Sequence, residues 1–211
     1  MAFTTDYLKN VRIARPEDVS DALNLRYRHI CRWNRYLPDR GTPELSIGDK
    51  FDPYTDYLVY RDEANAVKGM VRMIRPNPLG FFMQQYVDPR AYFATAGDVW
   101  ELSELVIHKD EHDTFKVLGA LTAAVTRYLV RNEAERIASI SIKPIHKYMR
   151  RIGFINTGVT FPTGWNQPMT LHVCPGSDRL LQHVLAVFSE DSRDDLLCFV
   201  FPHGDRQVVY G

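Results

Sequence analysis

The chain has few cysteines, no excess of either charge and no long apolar run. Its three cysteines, Cys31, Cys174 and Cys198, are widely spaced and form neither a disulfide framework nor a CxxC or His/Cys metal motif. Lys+Arg and Asp+Glu both number 26, so no basic surplus indicates nucleic acid or an acidic membrane as partner. No apolar run approaches the ~18 residues that span a bilayer, and MAFTTDYLKN lacks the apolar core of a secretory signal. We therefore expect a cytoplasmic protein without a metal, a nucleic-acid partner or a membrane span.

What the sequence does contain is the length and composition of one globular domain, residues 1–211, with 45% hydrophobic residues. Periodicity and turn residues predict strands at Val11–Ala14, Asp56–Arg61, Val67–Ile74, 99–108, Arg136–Ile142, Gly158–Pro162, Leu171–Val173 and Leu196–Phe201. They predict helices from Pro16 towards Trp33 and over Phe115–Arg131, Ile145–Ile152 and 177–188, and a loop over Leu37–Lys50. This order predicts an α/β fold in which helices flank a mixed central sheet.

The predicted strand at residues 99–108, VWELSELVIH, carries two glutamates three positions apart. Because side chains alternate faces along a strand, Glu101 and Glu104 should lie on opposite sides of the sheet. One of them would then face the core, where an unpaired carboxylate is costly. The presence of two glutamates in this strand therefore has to be explained.

Other acids and arginines stand near the predicted hairpin. In GDKFDPYTDYLVY, Asp49 and Asp52 directly precede the first hairpin strand, and Arg72 lies within the second. Upstream, the segment LRYRHICRWNRYLP places four arginines, Arg26 among them, between aromatic residues.

Together these motifs resemble the acyl-homoserine-lactone synthases, the LuxI-type autoinducer synthases, from about Val11 to Phe154. The matching positions are Arg26, Asp49-Lys50-Phe51-Asp52, Arg72 and Trp100-Glu101-Leu102-Ser103. The resemblance implies the GNAT-like acyltransferase fold, with residues 155–211 completing the sheet. It also implies transfer of an acyl group from acyl carrier protein or coenzyme A to the amine of S-adenosylmethionine. Lactonisation then expels methylthioadenosine, and no further cofactor takes part.

The resemblance assigns roles to particular residues. It implies catalytic roles for Glu101, Arg72 and Ser103. It implies substrate binding by Arg26, Ile30, Tyr36, Asp49, Asp52, Trp100 and Glu104.

The chain also departs from the family pattern. Ile30 and Tyr36 stand where the family has phenylalanine and tryptophan, and Ile47 replaces an acid. The arginine that follows Trp-Glu-Leu-Ser in the family is Glu104 here. Since this reverses a charge, we expect a site that tolerates cationic acceptors and grips a carboxylate less well, unless Arg72 or Arg75 compensates.

Acyl transfer to an amine requires that the amine lose its proton, so a carboxylate or a carboxylate-held water must accept it. Glu101 is the candidate acceptor. We expect Arg72 to pair with Glu101, hold its rotamer and keep it ionised. Asp49 and Asp52 would hold the N-terminal segment or bind the cationic amine.

Other interpretations remain open. Glu101 and Arg72 could form a structural ion pair across two strands, and Asp49 and Asp52 could be ordinary loop acids. The segment KVLGAL from Lys116 is a poor version of the loop that cradles coenzyme A in plain acetyltransferases. The alternative functions are acylation of a different amine or amino acid, and a non-catalytic protein that binds a carrier protein or ligand. Close pairing of Glu104 with Arg72 across the cleft would favour the latter.

Overall fold

The computed structural model of the chain describes residues 2–43, 47–163 and 167–202. Its strands are β1 (Val11–Ile13), β2 (Thr55–Arg61), β3 (Val67–Ile74), β4 (Trp100–Ile107), β5 (Ile137–Ser141), β6 (Ile155–Phe161) and β7 (Met169–Cys174). The α-helices are α1 (Pro16–Tyr27), α2 (Thr114–Arg131), α3 (His146–Arg151), α4 (Ser177–Val187) and α5 (Arg193–Val200). Residues 44–46 of the predicted loop and residues 203–211 of the predicted domain lie outside the described part.

The seven strands form one sheet in the order β1-β2-β3-β4-β5-β7-β6. Neighbouring strands are antiparallel except β4 and β5, which are parallel and are connected through α2. The predicted mixed sheet with flanking helices is therefore confirmed.

The two faces of the sheet carry different helices. Helix α2, capped by the Asp113 side chain, packs its apolar side against Leu58, Val71 and Leu102 in the main core. Helix α1 covers the other face, where Ala22 and Leu25 join Tyr57, Val59, Met70 and Val106. The α1 face is the one on which the arginines and acids meet.

The prediction of a final strand at Leu196–Phe201 is wrong, because Arg193–Val200 is helix α5. Asp194 and Asp195 occupy its first turn, where acids favour a helix start. Leu196, Leu197 and Val200 are buried on one side of it. A short apolar run fits a strand and a buried helix equally well, and here helical packing decides.

In the described residues, no helix is long and apolar enough to cross a membrane.

Candidate active site

A bulge in β4 brings the two glutamates to one face of the sheet. Met73 of β3 pairs with Leu102 and Val71 pairs with Leu105, so Ser103 and Glu104 together lie opposite Arg72. The additional residue shifts the alternation of β4 by one position. The prediction that Glu101 and Glu104 point to opposite faces is therefore wrong, since both face α1 together with Arg72.

Glu104 is held by Arg26 of helix α1. The guanidinium donates two hydrogen bonds to the carboxylate, from Nε to Oε2 and from Nη2 to Oε1, the latter 2.9 Å long. Its Nη1 donates to the carbonyl of Ile47 at 2.9 Å. Burial alone would lower the pKa of Arg26, but the Glu104 carboxylate outweighs it and the pKa is raised. The compensation for Glu104 thus comes from Arg26, whereas Arg75 pairs with Asp56 at 3.1 Å.

Arg72, fully buried on β3, faces the two aspartates that precede β2. Its Nη2 donates to Asp49 Oδ1 at 2.7 Å and to Asp52 Oδ1 at 3.2 Å. Its Nη1 lies 3.9 Å from Glu104 Oε1. Within the described residues Arg72 forms no ion pair with Glu101, so the predicted pairing of these two side chains is wrong. The local turn explains this, because Asp49 and Asp52 each accept a backbone N–H of the turn and so present their carboxylates to β3.

Glu101 is completely buried. Its Oε2 accepts a hydrogen bond from the backbone N–H of Met83 at 3.4 Å. Burial raises the pKa of Glu101 to about 8, and the backbone N–H of Met83 and the charge of Arg72 offset only part of that effect. The expectation that Arg72 keeps Glu101 ionised is therefore not met: at neutral pH this carboxyl is mostly protonated.

A cavity of about 400 Å³ opens where β4 and β5 diverge. The two strands pair only over Trp100–Leu102 and Ile137–Ser139, whereas β5 pairs with β7 over its whole length. Glu104 lies at one end of this mainly apolar cavity. Its other lining residues include His29, Tyr36, Leu102, Ser103, Leu105, Val125, Ile140, Ser141, Ile142, Tyr148, Met149 and Ile152.

Tyr148 of α3 is a lining residue that sequence reasoning did not identify. Its hydroxyl is 2.7 Å from Thr122 Oγ1, and burial raises its pKa to about 12, so it keeps its proton at neutral pH. Tyr148 also lines a neighbouring groove with Phe115 and Leu118, which Lys147 and Arg151 border. The segment YMRRIGF predicted only the helix and its end at Gly153, whose φ is +99°.

The predicted site residues separate into two groups. The structure brings together Arg26, Arg72, Asp49, Asp52 and Glu104 as one ion-pair cluster, places Glu101 on the same face, and sets Ser103 and Tyr36 on the cavity wall. Ile30 instead packs in a small core with Tyr27 and Ile47. Trp100 packs edge-on against Tyr128 on the α2 face, with the ring centroids 5.6 Å apart.

The chain is similar to known acyltransferases. Residues 25–121 match the family described as acetyltransferase (GNAT) domain. FeeM, an N-acyl amino acid synthase from uncultured soil microbes, is 14% identical, with a TM-score of 0.64 over 84% of this chain and 95% of its own. MesI, a CoA-dependent acyl-homoserine lactone synthase, is 12% identical, with a TM-score of 0.63 over 85% and 99%. BjaI, another such synthase, solved with SAM and isopentyl-CoA, is 18% identical, with a TM-score of 0.57 over 87% and 82%.

Among curated proteins, no sequence matches the chain significantly. The domain match and the solved structures confirm the predicted fold class, a GNAT-like α/β acyltransferase fold, and the chain resembles acyl-homoserine-lactone synthases in fold. The domain match supports acyltransferase as the enzyme class.

Proposed function

We propose that this chain, an acyltransferase of the GNAT type, transfers an acyl group from an acyl thioester to the amine of S-adenosylmethionine and forms an N-acyl-homoserine lactone. The donor is an acyl carrier protein or coenzyme A. One observation carries the proposal: the buried cluster of Arg26, Asp49, Arg72 and Glu104 adjoins, through Glu104, an apolar cavity between two diverging strands.

The apolar cavity supports the donor half of the proposal. Burying each methylene of an acyl chain there contributes roughly 0.8 kcal/mol. The groove beyond Tyr148 leads to Lys147 and Arg151, whose charges suit the phosphate of phosphopantetheine. The thioester then lies near the gap between β4 and β5, where the backbone N–H groups of β4 are candidate donors to the oxyanion.

The charge of the cluster supports the acceptor half. Two arginines face three carboxylates, those of Asp49, Asp52 and Glu104, which gives 2 − 3 = −1 while Glu101 is protonated. S-adenosylmethionine has a sulfonium, an ammonium and a carboxylate, so its net charge is +1. The cluster and this acceptor are complementary in sign.

The proposed reaction uses residues on both sides of the thioester. Glu101, with a pKa near that of an amine, accepts the ammonium proton in its ionised form. The free amine attacks the thioester carbonyl, and the tetrahedral intermediate expels the thiolate. Tyr148 donates its proton to that thiolate. The acceptor carboxylate then attacks its own γ-carbon, closes the lactone and releases methylthioadenosine.

A second candidate is acylation of a free amino acid, which the likeness to the N-acyl amino acid synthase FeeM favours. The non-catalytic alternative has less support. Glu104 is hydrogen-bonded to Arg26, its nearest approach to Arg72 is 3.9 Å, and the cavity stays open.

Mass spectrometry of the acylated product tests the proposal. The purified protein is incubated with acyl carrier protein or coenzyme A thioesters and either S-adenosylmethionine or a mixture of amino acids. We expect an N-acyl-homoserine lactone and one equivalent of methylthioadenosine. An N-acyl amino acid as sole product would replace the first candidate with the second, and absence of any transfer would refute both.

A further inference from the structure

Buried polar atoms without a hydrogen-bond partner are concentrated in one part of this protein. Six such side-chain atoms occur in the described residues, and five of them belong to four neighbouring residues. These are Asp49 Oδ2, Tyr57 OH, Arg72 Nε, Arg72 Nη1 and Glu101 Oε1. Since about nine in ten buried polar groups are hydrogen-bonded, five exceptions in one cluster indicate a site that binds something polar.

The strand register places these residues on one face of the sheet. Tyr57 of β2 pairs with Arg72 of β3, and Ile74, two positions further, pairs with Glu101 of β4. Cross-strand partners and residues two apart share a face, so the Tyr57, Arg72 and Glu101 side chains all point towards α1. Asp49 joins them through its hydrogen bond with Arg72.

The five atoms include both donors and an acceptor pair. Arg72 offers N–H groups at Nε and at Nη1, on different edges of its guanidinium. Burial keeps the hydroxyl of Tyr57 protonated by raising its pKa. Asp49 Oδ2 is an acceptor, as is Glu101 Oε1 when that carboxyl is ionised. The Nε–H of Arg72 and the hydroxyl of Tyr57 can each donate to one oxygen of a carboxylate, and carboxylate oxygens fit an ammonium group.

We infer that Tyr57, Arg72, Asp49 and Glu101 form a receptor for an α-amino-acid head group. Arg72 and Tyr57 donate to its carboxylate, whereas Asp49 and Glu101 accept from its ammonium group. This inference rests on the proposed function for the identity of the acceptor, and it adds Tyr57 as the residue that selects acceptors bearing a carboxylate. The head group enters past Asp49 and Asp52, whose side chains are 20% and 38% exposed and line a surface pocket.

The test compares ligand pairs that differ only in the carboxylate. Dissociation constants are measured by calorimetry for S-adenosylmethionine and its decarboxylated form, and for tyrosine and tyramine. We expect Tyr57→Phe to weaken binding of the carboxylate-bearing member roughly 10- to 100-fold, the range for a hydrogen bond to a charged group, with little effect on its partner. Because the lost hydroxyl had no partner, the melting temperature of the free protein should stay the same or rise.

Tyr60→Phe is the matched control. Tyr60 lies on the same strand and is equally buried, at 6% exposure, but it packs on the α2 face and its hydroxyl accepts from Asn10. The Tyr60→Phe variant should leave every dissociation constant unchanged.

The outcomes separate the two proposals. The head-group receptor is refuted if Tyr57→Phe weakens the binding of both members of a pair equally or changes the binding of neither. It is also refuted if the wild type does not bind the carboxylate-bearing members more tightly. If tyrosine shows the effect while S-adenosylmethionine does not bind, the receptor stands and the proposed acceptor is wrong.

Discussion

Replacing Glu101 by glutamine keeps the shape of the side chain and removes its titration. The pKa of about 8 keeps Glu101 protonated in the native protein well above pH 4.5, the ordinary pKa of a glutamic acid. Between these two pKa values the native state binds more protons than the unfolded state, so the free energy of unfolding falls as pH rises. A difference of about 3.5 pKa units, at roughly 1.4 kcal/mol each, sets an upper figure on the order of 5 kcal/mol.

Glu101→Gln should therefore be more stable than the wild type above pH 8 and similar to it near pH 4. Its turnover should nevertheless fall roughly 10²- to 10⁴-fold, the usual contribution of general acid–base catalysis. In the wild type, kcat/KM should rise with pH up to about 8 as Glu101 loses its proton. The glutamine variant should lose that rise.

The assay combines urea unfolding and initial rates at several pH values, with Glu63→Gln on the exposed hairpin turn as control. A folded Glu101→Gln protein with near-normal turnover would rule out the proton-accepting role. Unchanged stability at high pH would show that Glu101 is ionised in the native state, and the burial argument would fail.

Three further predictions concern the residues around the cavity. Glu104→Gln leaves the charge of Arg26 buried without a carboxylate partner. We expect urea unfolding to show that the free energy of unfolding falls by roughly 3–5 kcal/mol, and a fall below ~1 kcal/mol would contradict this. Tyr148→Phe removes the proton donor to the thiolate, so kcat should fall roughly 10²-fold or more while KM for the thioester changes little. An unchanged kcat at saturating substrate would show that Tyr148 is not the proton donor. Because Arg26 is buried, trypsin should cut the free protein at residues 35–50 rather than at Arg26, and an acyl thioester that contacts Tyr36 should protect this segment. Equal cleavage with and without the thioester, measured by mass spectrometry, would argue against that contact.

Local patterns were sufficient to predict most of the sheet and its principal helix. The alternation of VKGMVRMI and the helical spacing within Phe115–Arg131 depend on neighbours a few residues apart, and both elements occur within one residue of the predicted bounds. The bulge at Ser103–Glu104 is different, because it exists only in the pairing of β4 with β3. The residue pattern of β4 alone does not reveal how it pairs with β3.

The candidate site was predictable as a set of residues but not as a set of contacts. Arg26, Asp49, Arg72 and Glu104 were all identified from motifs, yet their pairing depends on which face β4 presents after the bulge. Tyr57 had no sequence signal of its own, since a tyrosine in an alternating strand is ordinarily a core residue. Only its unpartnered hydroxyl beside Arg72 distinguishes it from Tyr60.

The glutamate at position 104 has a consequence for how the acceptor is recognised. One charge–charge contact at ~4 Å and an effective dielectric near 20 is worth about 4 kcal/mol, so a buried acid at this place needs a cation. Arg26 meets that need with two hydrogen bonds to Glu104 and a third to Ile47. The hydrogen-bonding groups of Arg26 are thereby occupied. Among the described residues of the cluster, the cationic N–H groups without a hydrogen-bond partner are Nε and Nη1 of Arg72. We therefore expect carboxylate recognition to depend on Arg72 and on Tyr57, which faces it across the strand pair.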